Sequence, residues 1–264
     1  MFAPQIVLSW NMAAVAVMMF GGWLISLAIR NVTIVDSLWG LGFVLIALLT
    51  AFMSDGYWAR NLLIVCLVSL WGLRLSIYLT WRNWGKGEDP RYGGWREKSG
   101  SRFWLVSLFK VFILQALFMW VISLPLQIGL IAATPDTLTW LDMVGVGVWM
   151  IGFTFETVGD WQLARFKANS KNSGTVLDRG LWNYSRHPNY FGEFLVWWGF
   201  FLLALSTPFG EWTVISPLIV TAVLLKMTGI PLTESNLVKT RPGYQEYVKR
   251  TNAFIPWFPR KESP

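Results

Sequence analysis

The chain's one histidine stands in a stretch dense in groups able to bind an anion or move a proton. That stretch, Gly180-Leu-Trp-Asn-Tyr-Ser-Arg-His-Pro-Asn-Tyr-Phe-Gly-Glu193, runs directly into an apolar segment. Pro188 fits an early helical position, where its missing N–H removes no hydrogen bond. Arg186 and His187 then stand just before a helix N-terminus, where free N–H groups and the helix dipole favour anions. Gly192 permits close approach of another helix or a ligand. Glu156 and Asp160, Asn189 and Glu193, and Arg74 and Tyr78 are each four apart, so each pair shares one helical face and can project into one cavity. These residues and Asp36 lie within or beside apolar stretches, where ionisable groups are costly and mark functional sites by default. Lys110 and Lys226 read instead as snorkelling cations near helix ends. In the polar, aromatic tail after residue 230, Glu234, Asn236, Lys239 and Arg241 offer ligand contacts. Plainer readings stand beside these: Arg74 paired with Asp36 or Glu156 inside a bundle, and a tail that is only an amphipathic surface segment.

The elements that must position these groups are apolar helices. Of 264 residues, 54% are hydrophobic and 14% charged, whereas a soluble domain carries about 25% charge. Mean hydropathy is +0.45. The 18 Trp and 18 Phe suit membrane interfaces. The apolar stretches are long and continuous, which argues against a β-barrel of alternating strands. Cys66 lies in an apolar run and reads as a small buried residue; one Cys and one His cannot assemble a metal site, so none is expected. The N-terminal run lacks the basic start and small-residue cleavage site of a signal peptide and reads as a retained first helix.

About twenty apolar residues cross a bilayer as a helix. Seven stretches are predicted to do so, near 6–29, 36–53, 61–81, 106–133, 139–162, 190–206 and 212–230. The second and sixth are short, and Pro125 is expected to kink the fourth. Loops 82–102 and 163–188 and the tail carry 17 of the 22 Lys and Arg. With seven spans all three fall on one side, which the positive-inside rule makes cytoplasmic, leaving the N-terminus outside. The expected fold is therefore all-α and polytopic: a single membrane-embedded domain over 1–264 with a cytoplasmic tail at 231–264. Topology alone can account for the net charge of +7. Without a separate basic domain, nucleic-acid binding is not expected, nor is an obligatory protein partner.

The Arg186-His-Pro-Asn-Tyr-Phe-Gly-Glu193 segment, the Glu234-Ser-Asn236 and Tyr244-Gln-Glu-Tyr-Val tail, Val35-Asp-Ser-Leu-Trp-Gly40 and Glu88-Asp-Pro-Arg-Tyr92 together resemble the membrane steroid 5α-reductase superfamily, in its bacterial branch. The likeness runs from about residue 30 to 258 and is most specific in the C-terminal half. It implies a seven-helix reductase of the bacterial inner membrane, binding NADPH from the cytosol and a hydrophobic enone, such as a 3-oxo-4-ene steroid, from the bilayer. By segment matching, Asp160, Asn189 and Glu193 fall on cofactor-binding positions. Arg165, Lys167, Arg186, His187, Tyr190, Asn236 and Lys239 lie in matching segments, and Arg74, Glu156 and Glu234 join them as cofactor candidates. In steroid reductases a Glu near the start of the second span and a Tyr in the third hold the substrate carbonyl. Asp36 sits close to the first position and Trp71 occupies the second, with Arg74 and Tyr78 nearby. Asp36, Trp71 and Tyr78 are thus the catalytic candidates, and which of them meets the carbonyl stays open. Hydride arriving at an enone makes an enolate, so a donor aimed at the oxygen lowers the barrier.

The rival expectation is a membrane S-adenosylmethionine-dependent methyltransferase of the isoprenylcysteine type, which shares an Arg-His-Pro-x-Tyr-x-Gly segment and a Glu-containing tail. Asn189 and Glu193 favour the reductase, as does the basic 82–102 loop. A transporter or lipid-binding scaffold is a third expectation, weakened by the absence of an inverted repeat.

Overall fold

The computed structural model of the protein describes residues 2–227 and 229–260, which form helices and connecting turns with no strand among them. The chain divides into two compact units: one runs to Trp140 and takes in Leu203–Ile215, and the other comprises Leu141–Leu202 and the residues from Ser216 onward.

The first unit opens with α1 (Pro4–Ala28), α2 (Ile34–Met53) and α3 (Trp58–Asn83). Pro4 starts α1 where its missing N–H is harmless, and Asp36 lies in the first turn of α2, complementing the dipole. Helices α2 and α3 touch backbone to backbone through Gly40 and Gly72: a Cβ at Gly40 would lie 2.2 Å from the Gly72 carbonyl oxygen. Small residues at such crossings let apolar helices pack closely.

The connection after α3 holds α4 (Pro90–Ser99), capped by the Asp89 carboxylate, which accepts from the Arg91 N–H. The expected fourth span does not run as one helix. It is built from α5 (Phe103–Ser107), a π-helical stretch Leu108–Ile113, α6 (Leu114–Ile122) and α7 (Leu124–Ile131). The break between the last two falls at Ser123, just before Pro125, whose ring cannot continue an α-helical ladder.

Two buried polar anchors stabilise this unit. Asn11 donates to Thr50 Oγ1 at 2.7 Å and to Gln127 Oε1 at 2.8 Å, and Gln127 donates to Ser123 Oγ at 2.8 Å. All four side chains are fully buried. Such bonds join apolar helices that gain nothing from a hydrophobic effect in lipid. Arg60, also fully buried, donates to the carbonyls of Pro135 and Thr137 at 3.1 and 2.9 Å.

The second unit contains all but the end residues of α8 (Trp140–Ala168), α9 (Pro188–Leu205) and α10 (Ile215–Ala222), with α11 (Ile230–Thr240) and α12 (Tyr244–Arg250). Helices α8 and α9 meet along a seam of glycines seven apart. A Cβ at Gly152 would lie 2.7 Å from the Gly192 oxygen, and one at Gly199 would lie 2.9 Å from the Gly145 oxygen.

Among the described residues, six helical stretches can cross a membrane by length and composition: Pro4–Ala28, Ile34–Met53, Trp58–Asn83, Pro90–Ile122, Trp140–Ala168 and Gly210–Thr240. The expected sixth span of the sequence reading is α9, which is absent from this set. Its 18 residues begin with a polar turn holding Asn189 and Glu193, and only from Phe194 is it continuously apolar.

Candidate functional site

The α8–α9 seam fixes a polar group of the second unit. A Cβ at Gly159 would approach Asn189 N to 3.2 Å, and one at Gly192 would approach Glu156 N to 2.3 Å. With the backbones so close, the Asn189 Nδ2 donates to Asp160 Oδ1 at 3.1 Å. Glu156 and Asp160 are buried and Glu193 half-buried. The seam therefore gathers an amide and carboxylates, a donor–acceptor set suited to hydroxyl and carboxamide groups.

Beside it the Arg-His-Pro turn is knitted into the tail. The buried Arg186 makes a two-pronged pair with Glu234, Nε to Oε1 at 2.8 Å and Nη2 to Oε2 at 3.1 Å. Its Nη1 donates to the carbonyls of Thr251 and Val248 at 2.6 and 3.2 Å. His187 Nε2 donates to Glu234 Oε1 at 3.0 Å, and its ring stacks on Tyr190 with centroids 5.3 Å apart. Tyr190 reaches Thr233 Oγ1 at 3.4 Å. Glu234, Arg186 and His187 thus engage one another, an arrangement in which the buried cation and carboxylate satisfy each other. Around them burial pushes the Tyr244 phenol up to about 12 and raises that of Tyr247, whose hydroxyl donates to the Trp182 carbonyl.

Past Asp160, α8 borders an open groove of about 650 Å³ whose walls include Trp161, Gln162, Arg165, Phe166, Asn172 and Arg179. The Arg165 guanidinium lies 5.5 Å from the Trp161 ring and that of Arg179 5.9 Å from Phe166. Lys167, Asn236 and Lys239 are exposed, outside the Arg186–Glu234 group.

The first unit carries its own polar cluster. Asp36 Oδ2 lies 4.0 Å from Arg82 Nη2, and the Arg82 guanidinium lies 5.8 Å from the Tyr78 ring. Trp71 is fully buried in the α2–α3 packing, 5.6 Å from the Phe43 ring. Phe43 is two helical turns beyond Asp36, so Trp71 and Asp36 sit at different levels of α2. Arg74 and Tyr78 share an apolar groove of about 550 Å³ with Leu70, Leu73, Ile77 and Trp81.

The 84–99 connection clamps the start of α2. Glu88 Oε1 accepts from Val32 N–H at 2.9 Å, and Thr33 Oγ1 accepts from Asp89 N–H at 2.8 Å. Arg96 holds Glu88 through Nε and Nη2 at 2.8 and 2.7 Å. The Arg96 hydrogen bonds hold the Glu88 carboxyl below the usual carboxylate range, aided by that from Val32. Arg82, Glu88 and Arg96 are missing from the site residues inferred from sequence, where the basic 82–102 loop counts for the reductase as a whole and no residue of it is singled out. The acidic Glu-Asp pair just before Pro90 was the available signal, because a carboxylate followed by proline marks a helix start.

Comparison with known proteins places residues 22–251 under a family model described as protein of unknown function (DUF1295). An uncharacterized protein of Schizosaccharomyces pombe is similar at 27% identity over 261 residues, covering 89% of this chain and 75% of its own length. No solved structure matches.

Proposed function

The chain belongs to the DUF1295 family, and from that premise we propose that it is a steroid 5α-reductase-like membrane enzyme using NADPH to reduce the C=C bond of a hydrophobic enone. The observation that carries this reading is the Asn189–Asp160 hydrogen bond on the glycine seam, with Glu193 one turn further along α9. This polar set lies in the segment whose sequence resembles the reductases.

The residues present fit a nicotinamide cofactor. Carboxylates at Asp160 and Glu193 suit ribose hydroxyls, the Asn189 amide suits a carboxamide, and the Arg165–Arg179 groove supplies cations beside aromatic faces for a phosphorylated nucleoside. When bound, the cofactor supplies the hydride. Tyr78 and Arg82 offer donors to an oxygen acquiring negative charge, and Asp36 orients Arg82. The apolar groove on α3 suits the body of a lipid-soluble substrate. We read α9 as a seventh span, the basic loops as cytoplasmic and the N-terminus as outside, in a bacterial inner membrane with the site open to the cytosol.

The test is a parallel titration of the purified, detergent-solubilised protein with NADPH, NADH and S-adenosylmethionine. Saturable NADPH binding is expected, followed by loss of nicotinamide absorbance when a 3-oxo-4-ene steroid is added. Binding of S-adenosylmethionine alone would replace this reading with the methyltransferase one.

A further inference from the structure

The C-terminal tail folds back along the start of α9 yet leaves three apolar side chains uncovered. Arg186 N–H donates to the Asn252 carbonyl at 2.8 Å, Ser185 Oγ to that of Phe254 at 2.8 Å, and Trp257 N–H to that of Tyr184 at 2.9 Å. Phe254 packs edge-on against Phe191 and Phe194, centroids 5.7 and 5.4 Å away. The segment therefore lies beside the first two turns of α9. The side chains that follow point outward: Ile255 is 63%, Trp257 65% and Phe258 74% exposed. Pro256 and Pro259 oppose a helix here, so these three groups are held as a contiguous patch by backbone hydrogen bonds.

The level of that patch can be read from α8. Trp182 Nε1 donates to the Gly159 carbonyl at 3.1 Å, and Asn189 also lies against Gly159. The turn from Trp182 to Asn189, to which Trp257 is bonded through Tyr184, thus lies at the level of Gly159, six residues and about 9 Å before Arg165 along a helix able to cross the membrane. This is the zone between an apolar helix body and its basic end, where tryptophan and other aromatics gather in bilayers. Exposed Lys249 and Arg260 flank the patch. Arg250 is held by Asp178, and Arg260 folds back through its backbone N–H, which donates to the Arg250 carbonyl at 2.9 Å.

We infer that Ile255, Trp257 and Phe258 insert into the headgroup–acyl boundary of an anionic leaflet and moor the tail there. Aromatic and aliphatic side chains supply the apolar insertion, and Lys249 and Arg260 meet anionic headgroups. Bilayer burial would remove an apolar patch that water disfavours. The inference is independent of the enzymatic reading, because it concerns where the tail rests and not what the site binds.

A nitroxide at Phe258→Cys, on a Cys66→Ser background in nanodiscs of mixed neutral and anionic lipid, tests it by collision with oxygen and with a polar nickel chelate. Gln245→Cys, at an exposed position of α12, is the aqueous reference. The label at 258 is expected to favour oxygen several-fold over the chelate, with the order reversed at 245. Equal chelate access at both positions would overturn the inference. So would a label at 258 shielded from both reagents, which would mean that protein covers the patch. An unchanged profile in wholly zwitterionic discs would remove the anionic component of the claim.

Discussion

Asn189 donates its side-chain amide to Asp160 at 3.1 Å across two helices whose backbones touch. The bond joins residues 29 apart in the chain, and it exists because glycine at 152, 159 and 192 lets α8 and α9 approach.

Replacing Gly192 with alanine is therefore expected to destabilise the protein by about 1–3 kcal/mol, the usual range for overpacking. The new methyl would meet the Glu156 backbone nitrogen at 2.3 Å, an atom that cannot swing aside. Gly147→Ala, where nothing lies within 4 Å, is expected to leave the melting temperature unchanged or slightly raised. Thermal unfolding in detergent compares the two; equal melting points would contradict the close seam.

Asn189→Ala and Glu193→Gln are expected to abolish turnover while the protein still inserts and folds. Loss of a hydrogen bond to a charged group is worth about 1.5–3 kcal/mol, so NADPH affinity is expected to fall roughly 10- to 150-fold. Cofactor titration of the purified variants reads this directly, and wild-type affinity in both would remove the proposed cofactor site.

Asp36→Ala is expected to spare NADPH binding and weaken reduction, since its partner Arg82 and the Tyr78 ring beside Arg82 belong to the substrate half of the proposal. Binding and turnover measured on one preparation separate these effects. Lost NADPH binding in a folded protein would reassign Asp36 to the cofactor.

The Glu88 clamp gives a pH dependence of fixed sign. Its folded carboxyl titrates below its unfolded value, so its stabilisation is complete above the ordinary carboxylate range and disappears as pH falls through the folded value. Wild type is expected to melt above Glu88→Gln at neutral pH, and the gap to close as the pH is lowered below about 4. A gap that is constant with pH would show that the Glu88 charge does not hold the start of α2.

Arg186→Lys is expected to loosen the tail even though it keeps the charge. Lysine cannot reproduce a two-pronged pair with Glu234 together with bonds to the Thr251 and Val248 carbonyls. Limited proteolysis is expected to cut the variant within residues 231–260 faster than wild type, by tenfold or more if about 1.4 kcal/mol of local stability is lost. Equal cleavage rates would show that the tail is held by other contacts.

Most helices were legible in the sequence because lipid demands long apolar runs. The predicted 36–53 and 190–206 became Ile34–Met53 and Pro188–Leu205, the second starting at the proline singled out for it. The π-helical stretch at Leu108–Ile113 was not, because hydropathy carries no sign of how a ladder is threaded. Asn189 and Asp160 were both identified as site residues, but their meeting depends on register between two helices. Arg186, His187 and Glu234 were read as groups open to a ligand; charge and position in sequence do not reveal that three such groups can satisfy each other. The Asn11–Thr50–Gln127 network escaped altogether, since uncharged polar residues stand out little in an apolar run.

That network has a consequence for how the protein is made. Asn11 enters the membrane with the first helix, yet one of its partners, Gln127, lies 116 residues later. At ~5–20 residues per second of synthesis the interval is on the order of ten seconds. Thr50, 39 residues after Asn11, can take one of its hydrogen bonds early, but until Gln127 arrives the other must be met by lipid, water or the insertion machinery. The bond that later locks α1 against α7 therefore serves as a late checkpoint: only a chain whose α7 has arrived completes both donor bonds of the Asn11 amide.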